Sequence, residues 1–337
     1  MRRLLVISSP FFNYQISIAN AFRTLGYEVE IETYDEPIHP FRGWTKWRHK
    51  FSRNKESLKE QSRQKYKKYI ERRFDEIKPE IVFIYDGTII KDETLDYFRQ
   101  KGTKVAIWMY DSIRRKGYEM CESHIDHSDL FCCFENQDVE YFRSIGKTAK
   151  FLPLACDTNV YYPIKSEKDI DILFVGTIYT SEKRIKYLED LVERYKDKNI
   201  VIYGLYKPWF KNPIAWLTRK HRQQFKNVNI QPEEVNRLFA RTKIALNIHH
   251  KQTFEGANQR VMETCGAGAY QICDSNPYIK SLFPNGEVGL YETEEEMFEK
   301  IDYALTHDMS DEAKRGYETV VRNHTFLTSA KQIIEWL

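Results

Sequence analysis

Short apolar runs recur along this chain, with amphipathic segments between them. In the first half they are Leu4–Ile7, Tyr27–Thr33, Ile81–Tyr85, Val105–Met109 and Leu130–Phe134. In the second half they are Ile172–Val175, Ile200–Tyr203, Ile244–Ile248 and Ala269–Cys273. Most are continuous and rich in Val, Ile and Phe, the pattern of parallel strands covered on both faces. The run YEVEIETY (27–34) alternates Glu with apolar residues, which predicts a strand with one wet face. Ile16, Ala19, Phe22 and Leu25 recur at helical spacing and stop at Gly26, which predicts an amphipathic helix with a glycine end. Strand and helix alternate throughout, so the expected class is α/β with doubly wound sheets.

The periodicity breaks at FLPLACDTNVYYPIKSEKD (151–169), which carries two prolines and ends in a charged turn before a new strand at Asp171. A boundary there divides the chain into 1–165 and 166–324. The last residues, Thr328–Leu337 within a terminal segment 325–337, read as a helix after a complete second sheet. A length of 337 residues also suits two domains.

Composition narrows the classes. Apolar residues make up 42% and charged residues 30%, as in globular rather than disordered chains. Lys+Arg total 52 against 49 Asp+Glu, and a net charge of +3 excludes a globally polybasic nucleic-acid coat. Two segments depart from that balance. Residues 41–73 hold 13 Lys/Arg and three Glu, a local +10, with Trp44 and Trp47 near the start. Residues 207–226 hold six cations and no acid, interleaved with Trp209, Phe210, Trp216 and Phe225. Each reads either as a solvated helix face or as a dock for an anionic partner: a membrane surface, a phosphorylated acceptor or nucleic acid. Aromatics at 14% line sugar- or base-binding clefts as readily as they fill cores. No run approaches 18 apolar residues, and MRRLLVISSP is too short in apolar length for a secretory signal, so it reads as a first strand. The cysteines (121, 132, 133, 156, 265 and 273) form no CxxC or zinc spacing and read as buried thiols of a reducing cytoplasm.

Candidate chemistry concentrates in KIALNIHHKQTFEGANQRVMETCGAGAYQICD (243–274). A strand ends at Asn247–Ile248, a loop passes through Gly256, a short helix starts near Asn258 and stops at Gly266–Gly268, and a buried strand follows. Ligands of open α/β sheets bind where strand carboxyl ends feed helix N-termini, and free helix N–H groups favour an anion such as pyrophosphate. Arg260 and Glu263, three apart, share a helix face. They read either as a surface ion pair or as a phosphate ligand with an acceptor for ribose hydroxyls.

NQRVMETCGAGAYQICD resembles the donor-binding segment of GT-B glycosyltransferases, and Glu255 and Glu263 match their E-x7-E spacing. The closer resemblance is to the CgeB-like, spore-maturation-protein-like family. It extends in order over VAIWMYDS (105–112), FLPLACDTNVYYP (151–163), DILFVGTIYTSEKRIKYLEDL (171–191), IVIYG (200–204), EVGLYETEEEMFEKIDYAL (287–305) and Asn-His-Thr-Phe (323–326). The resemblance implies two Rossmann-like domains facing a central cleft. The second would hold a nucleotide-sugar, and the C-terminal helix would cross back to the first. Residue by residue, it gives Glu263 to the ribose and Arg260, with the helix start at Gly256–Asn258, to the diphosphate. Gly176 would let the backbone approach the donor, and Arg184 would add charge near the phosphates. Asn247, at its strand end, and Glu255 join this set. The GAN segment beside Glu255 departs from the commoner pattern, which puts a role at the sugar ring in doubt. No obligatory metal or cofactor is then expected, since two cations and a helix N-terminus stabilise a leaving diphosphate. The only Asp-x-Asp, Asp169-Ile-Asp171, sits at a strand start and reads as a structural cap.

On the acceptor side, Asp111 follows the strand end WMY and reads as a base for an acceptor hydroxyl, as a sugar ligand, or as a turn or helix cap. The loop SSPFFNYQ (8–15) lacks GxGxxG; Asn13 and Tyr14 line a cleft there, or Phe11 and Phe12 simply pack. His249 and His250 follow a strand, near a diphosphate or merely hydrogen-bonded. The expected function is transfer of a sugar from a nucleoside-diphosphate-sugar to a hydroxyl of a cell-surface glycan or protein. The enzyme would be cytoplasmic or peripheral at the inner membrane face. Two alternatives share the fold: a DNA-modifying glycosyltransferase that uses 41–73 on the phosphate backbone, and a sugar-nucleotide-binding protein without turnover.

Overall fold

The computed structural model describes residues 2–34, 55–115, 118–179, 183–207, 224–250 and 253–337. Residues 41–54 and 208–223, the greater part of the two basic aromatic segments once the helical stretch after 54 is set aside, lie outside them. The chain divides into two compact units, Met1–Pro153 with Phe326–Leu337, and Leu154–Thr325.

The first unit is a six-stranded sheet in the order β2-β1-β3-β4-β5-β6: β1 (Arg3–Ser8), β2 (Glu28–Thr33), β3 (Ile81–Tyr85), β4 (Lys104–Met109), β5 (Leu130–Cys133) and β6 (Lys150–Phe151). Every pairing is parallel. The continuous apolar runs are the reason: β3 and β5 are buried at every position, as strands covered on both faces must be. Helix α1 (Tyr14–Thr24) buries Ile18, Ala19 and Phe22 and ends before Gly26, whose φ of +89° favours glycine. Helix α2 (Lys55–Ile77) turns Tyr66, Ile70, Phe74 and Ile77 inward at helical spacing. Helices α3 (Asp92–Gln100) and α4 (Asn136–Ser144) follow β3 and β5.

The wet face expected of β2 holds at Glu28 and Glu30 but fails at Glu32, which is buried. Glu32 accepts from Tyr69 Oη and Arg73 Nε of α2, both at 2.6 Å. A buried carboxylate needs such partners, so part of the basic segment serves the fold internally. Lys67 likewise pairs with Glu93 at 2.9 Å.

The second unit repeats the architecture with the order β11-β9-β7-β12-β13-β14, again all parallel. The strands are β7 (Ile170–Val175), β9 (Ile200–Tyr203), β11 (Phe225–Lys226), β12 (Thr242–Asn247), β13 (Gln271–Asp274) and β14 (Gly289–Tyr291), with a separate short pair, β8 (Ile178–Tyr179) and β10 (Tyr206–Lys207). Its helices are α5 (Lys183–Arg194), α6 (Pro232–Ala240), α7 (Gln259–Gly266), α8 (Pro277–Leu282), α9 (Glu294–Thr306) and α10 (Ser310–Asn323). Strand β13 begins two residues later than its apolar run, because Gly268, at φ +69°, places the chain reversal just before it. The Asp169 and Asp171 carboxylates close the start of the sheet: Asp169 binds Arg241, and Asp171 accepts from the Asn199 N–H at 2.8 Å and from Lys243 at 2.8 Å.

Residues 154–165, assigned from sequence to the first domain, lie in the second unit. The Cys156 N–H donates to the His324 carbonyl at 2.7 Å, and the Gln259 amide bonds the Ala155 carbonyl. A Cβ added to Gly266 would meet Cys156 Sγ at 2.2 Å, so only glycine lets this segment lie on α7. The last helix, α11 (Phe326–Trp336), packs within the first unit. Its Phe326 ring lies 6.1 Å from Trp108 and 6.2 Å from Tyr14. All six cysteines are buried and unpaired with one another. Among the described residues no helix is long and apolar enough to cross a membrane.

Candidate functional site

Each sheet has one place where the strand order reverses, β1/β3 in the first unit and β7/β12 in the second. Chains leaving adjacent strands diverge there to opposite faces, which opens a crevice at the carboxyl edge.

At the β7/β12 reversal the chain after β7 passes through Gly176 and the chain after β12 through Ile248. Arg184, from the first turn of α5, reaches across. Its guanidinium donates to the Thr177 carbonyl at 2.5 Å and to the Ile248 carbonyl. Arg184 is 9% exposed, and the Phe174 ring lies beneath it, 5.7 Å from ring centre to guanidinium. A rigid fork of donors suits two carbonyls on diverging strands, and the buried guanidinium keeps its charge there. Gly176 has an unremarkable backbone and is closely approached by Gly204: a Cβ on Gly204, at φ +145°, would fall 1.8 Å from the Gly176 carbonyl oxygen. The IVIYG motif therefore ends in glycine to let two loops of this edge touch.

Helix α7 starts at the same edge. Asn258 is its N-cap and accepts from the Val261 N–H at 3.2 Å. Asn247, the last residue of β12, exchanges two 3.0 Å amide hydrogen bonds with Asn258. Both asparagines thus fix where the helix points. Gly256 is held by Asn276, whose amide donates to its carbonyl at 2.7 Å, and Glu255 lies half-buried in the loop before it. Arg260 and Glu263 form an ion pair at 2.6 Å on the face of α7 that meets α6 and Tyr161. Glu263 is 1% exposed, so its first role in this geometry is to hold the Arg260 guanidinium.

Three further residues meet here. Asp274, ending β13, accepts from the His249 N–H and from His249 Nδ1, both at 2.7 Å, and from Lys183 Nζ at 3.0 Å. Burial alone would raise the Asp274 carboxyl, but the His249 ring and N–H and the Lys183 ammonium outweigh it and hold it well below the usual carboxylate range. His249 Nε2 is buried with no hydrogen-bond partner. Ligand atoms of His249, Cys273 and Asp274 lie within 4.8 Å of one another, with the Lys183 ammonium already supplying a cation at Asp274. Sequence reading raised His249 and missed Lys183 and Asp274, which are 91 residues apart.

The β1/β3 reversal carries opposite chemistry. Asp111 follows β4, and its Oδ2 accepts from Arg115 at 2.5 Å and Tyr118 Oη at 2.8 Å. Asp138, buried, fixes the loop just beyond, accepting from Ser112 Oγ, the Ile113 N–H and Arg114 Nε at 2.8–3.1 Å. Ser9, after β1, bonds Tyr110 Oη at 3.1 Å. Phe12 and Asn13 both have positive φ, and Asn13 starts α1 from the left-handed region without a side-chain cap bond. Sequence reading passed over Asp86, after β3, although an Asp-Gly directly behind an apolar strand was its signal. Asp86 is 2% exposed and accepts from Tyr34 Oη and Thr88 Oγ1, both at 3.3 Å, on one oxygen. Burial, with the Asp111 charge beside it, raises its carboxyl to about 7 against the pull of Tyr110, Thr88 and Tyr34.

Residues 183–335 match the family model described as glycosyl transferase-like. No curated protein matches the chain. Among solved structures, a sucrose-phosphate synthase from Thermosynechococcus elongatus superposes at TM-score 0.73 with 12% identity, covering 99% of this chain and 98% of that one. A UDP-forming alpha,alpha-trehalose-phosphate synthase from Burkholderia xenovorans gives 0.67 and 10%, covering 100% and 98%. An E. coli structure described as trehalose-6-phosphate bound with UDP-2-fluoro glucose gives 0.68 and 12%, covering 99% and 98%. The fold is that of GT-B glycosyltransferases, and the glycosyl transferase-like match lies within the second unit and the last helix.

Proposed function

We propose that the protein moves a sugar from a nucleoside-diphosphate-sugar, held by the second unit, to a hydroxyl of a glycan or protein acceptor. The finer assignment to the CgeB-like family belongs to this reading. The observation that carries it is Arg184 spanning the β7/β12 reversal with Lys183 beside it and the capped N-terminus of α7 at the same edge. A buried guanidinium, an ammonium and a helix N-terminus together suit two phosphate groups. The bond from the sugar's anomeric carbon to the phosphate oxygen breaks, and the diphosphate leaves with the electron pair. Fixed donors that meet this growing charge lower the barrier without solvent reorganisation. Arg260, fixed by Glu263, adds to that field, and Glu263 also takes the ribose hydroxyls. Gly176, Asn247, Glu255, Gly256 and Asn258 shape the edge. Three cations make an obligatory metal unnecessary. Asp111, ion-paired to Arg115, orients an acceptor hydroxyl.

A thermal-shift panel of UDP, dTDP, GDP, ADP and CMP, with and without Mg²⁺, tests the reading. UDP comes first because the E. coli structure holds a UDP-sugar analogue. A ligand at 100 times its Kd adds about 2.7 kcal/mol. One nucleotide should raise the melting temperature equally with and without Mg²⁺, and Lys183→Ala, at a half-exposed position, should lose the shift. No shift with any nucleotide overturns the reading in favour of a protein without turnover.

A further inference from the structure

We propose that Asp86, at the β1/β3 reversal of the first unit, is the catalytic residue that takes the proton of the acceptor hydroxyl. The proposal rests on the glycosyltransferase reading and adds a residue to it. Asp86 sits at φ +91° in the left-handed region, rarely occupied by a side chain other than glycine's hydrogen. Such strain persists only where the surroundings over-determine it. Here the Asp86 N–H donates to the Trp108 carbonyl at 3.0 Å, the Ile90 N–H donates to the Gly87 carbonyl at 2.9 Å, and His124 Nε2 bonds that same carbonyl at 3.2 Å. His124 is in turn held by Asp92 at 2.6 Å. The strained turn fixes one carboxyl at the reversal point of the sheet.

The carboxyl is half satisfied. Tyr34 and Thr88 bond Oδ2 and the Tyr110 phenol also pulls on the carboxyl, while Oδ1 is buried without a close hydrogen bond of its own. A buried carboxyl oxygen without a donor is costly, and an incoming hydroxyl would satisfy it. Ser9, Tyr110 and Asp111 beside it are partly exposed and form the approach. The titratable groups acting on or answering to Asp86 are Tyr34 behind β2, Tyr110, Asp111 and Tyr118 behind β4, and Cys121; Arg115 neutralises Asp111. The phenols of Tyr34, Tyr110 and Tyr118 and the Cys121 thiol are all pushed up by burial and then by the Asp86 charge, so they stay neutral donors. Burial leaves the Asp86 carboxyl balanced at about 7, where a general base works best. In the step, the hydroxyl oxygen forms the new bond to the anomeric carbon and its proton passes to Asp86 Oδ1, then to water. The nucleoside diphosphate leaves with the electron pair of the bond it loses.

The test measures nucleoside diphosphate release from the nucleotide-sugar chosen by the thermal-shift panel, with glucose, galactose, mannose and N-acetylglucosamine as probe acceptors. Wild type, Asp86→Asn and Asp86→Gly are compared. Glycine relieves the backbone strain, so Asp86→Gly should melt within a few degrees of wild type at pH 8 and keep the nucleotide shift. Both variants should lose about 10²-fold or more in kcat, and the wild-type kcat should rise with pH about a midpoint near 7. Variants that turn over within a few-fold of wild type with the same pH profile overturn the proposal alone. Variants that unfold, Asp86→Gly included, also overturn it, because Asp86 would then be structural. A wild-type protein that binds no nucleotide overturns the glycosyltransferase reading first, and this proposal with it.

Discussion

The two carboxyl edges share one topology and carry opposite chemistry. At the second unit's edge the charges are cationic and matched: Arg184 on two carbonyls, Lys183 on Asp274, Arg260 on Glu263. At the first unit's edge the groups are acidic and phenolic, and Asp86 is poorly matched. A matched cation stays charged and binds an anion; a poorly matched acid gains the freedom to exchange a proton. A sheet reversal supplies the crevice, and the residues placed in it set the chemistry.

Backbone substitutions break this comparison most sharply. Both edges use positive φ, filled by glycine at Gly204 and by a side chain at Asp86. Gly204→Ala drives a Cβ to 1.8 Å from the Gly176 oxygen, so no folded protein should be recovered in a soluble-expression assay. The opposite change, Asp86→Gly, keeps the fold. Next in size, Arg260→Ala should reduce donor kcat/KM roughly 10²–10³-fold by removing a fixed donor from the leaving diphosphate. Circular dichroism should show the variant folded but less stable, because Glu263 is left buried without its cation.

The smallest effect sharpens the contrast by pH. The Asp86 carboxyl is raised in the fold to about 7, from roughly 4 in an unfolded chain. Its contribution to stability is full below about pH 4 and is lost as pH rises to about 7. The Asp274 carboxyl is depressed, so its contribution is present above roughly pH 4 and is lost only in acid. Between those limits Asp86, unlike Asp274, should make stability fall with rising pH. Melting temperatures at pH 5 and 8 should fall for wild type and fall less for Asp86→Asn.

The strands were legible because burial on both faces leaves a continuous apolar run. Ile81–Tyr85, buried throughout, matches residue for residue, and so does Ile200–Tyr203, whose apolar run was readable although only Ile202 is fully buried. Strands of two or three residues, such as Lys150–Phe151 and Gly289–Tyr291, leave too short a run to read. Helix α7 was legible from its asparagine cap and glycine stop, and the Arg260–Glu263 pair from its spacing. What escaped were contacts that only folding creates. Lys183 with Asp274 joins an α5 start to a β13 end, Glu32 is rescued by α2, and an Asp-Gly that reads as an ordinary turn proves to be a strained, buried carboxyl.

The second unit interrupts the first: residues 154–325 lie in sequence between the six-stranded sheet and the helix α11 that packs with it. During synthesis the ribosome therefore delivers every strand of the first unit early and withholds its closing helix until the whole second unit has emerged. Until then the face that will receive Phe326, Ala330 and Ile333 stays open beside Trp108 and Tyr14. The nascent chain's longest-lived sticky surface should thus be this patch, and a chaperone captured on stalled chains should leave it only after residue 337 clears the exit tunnel.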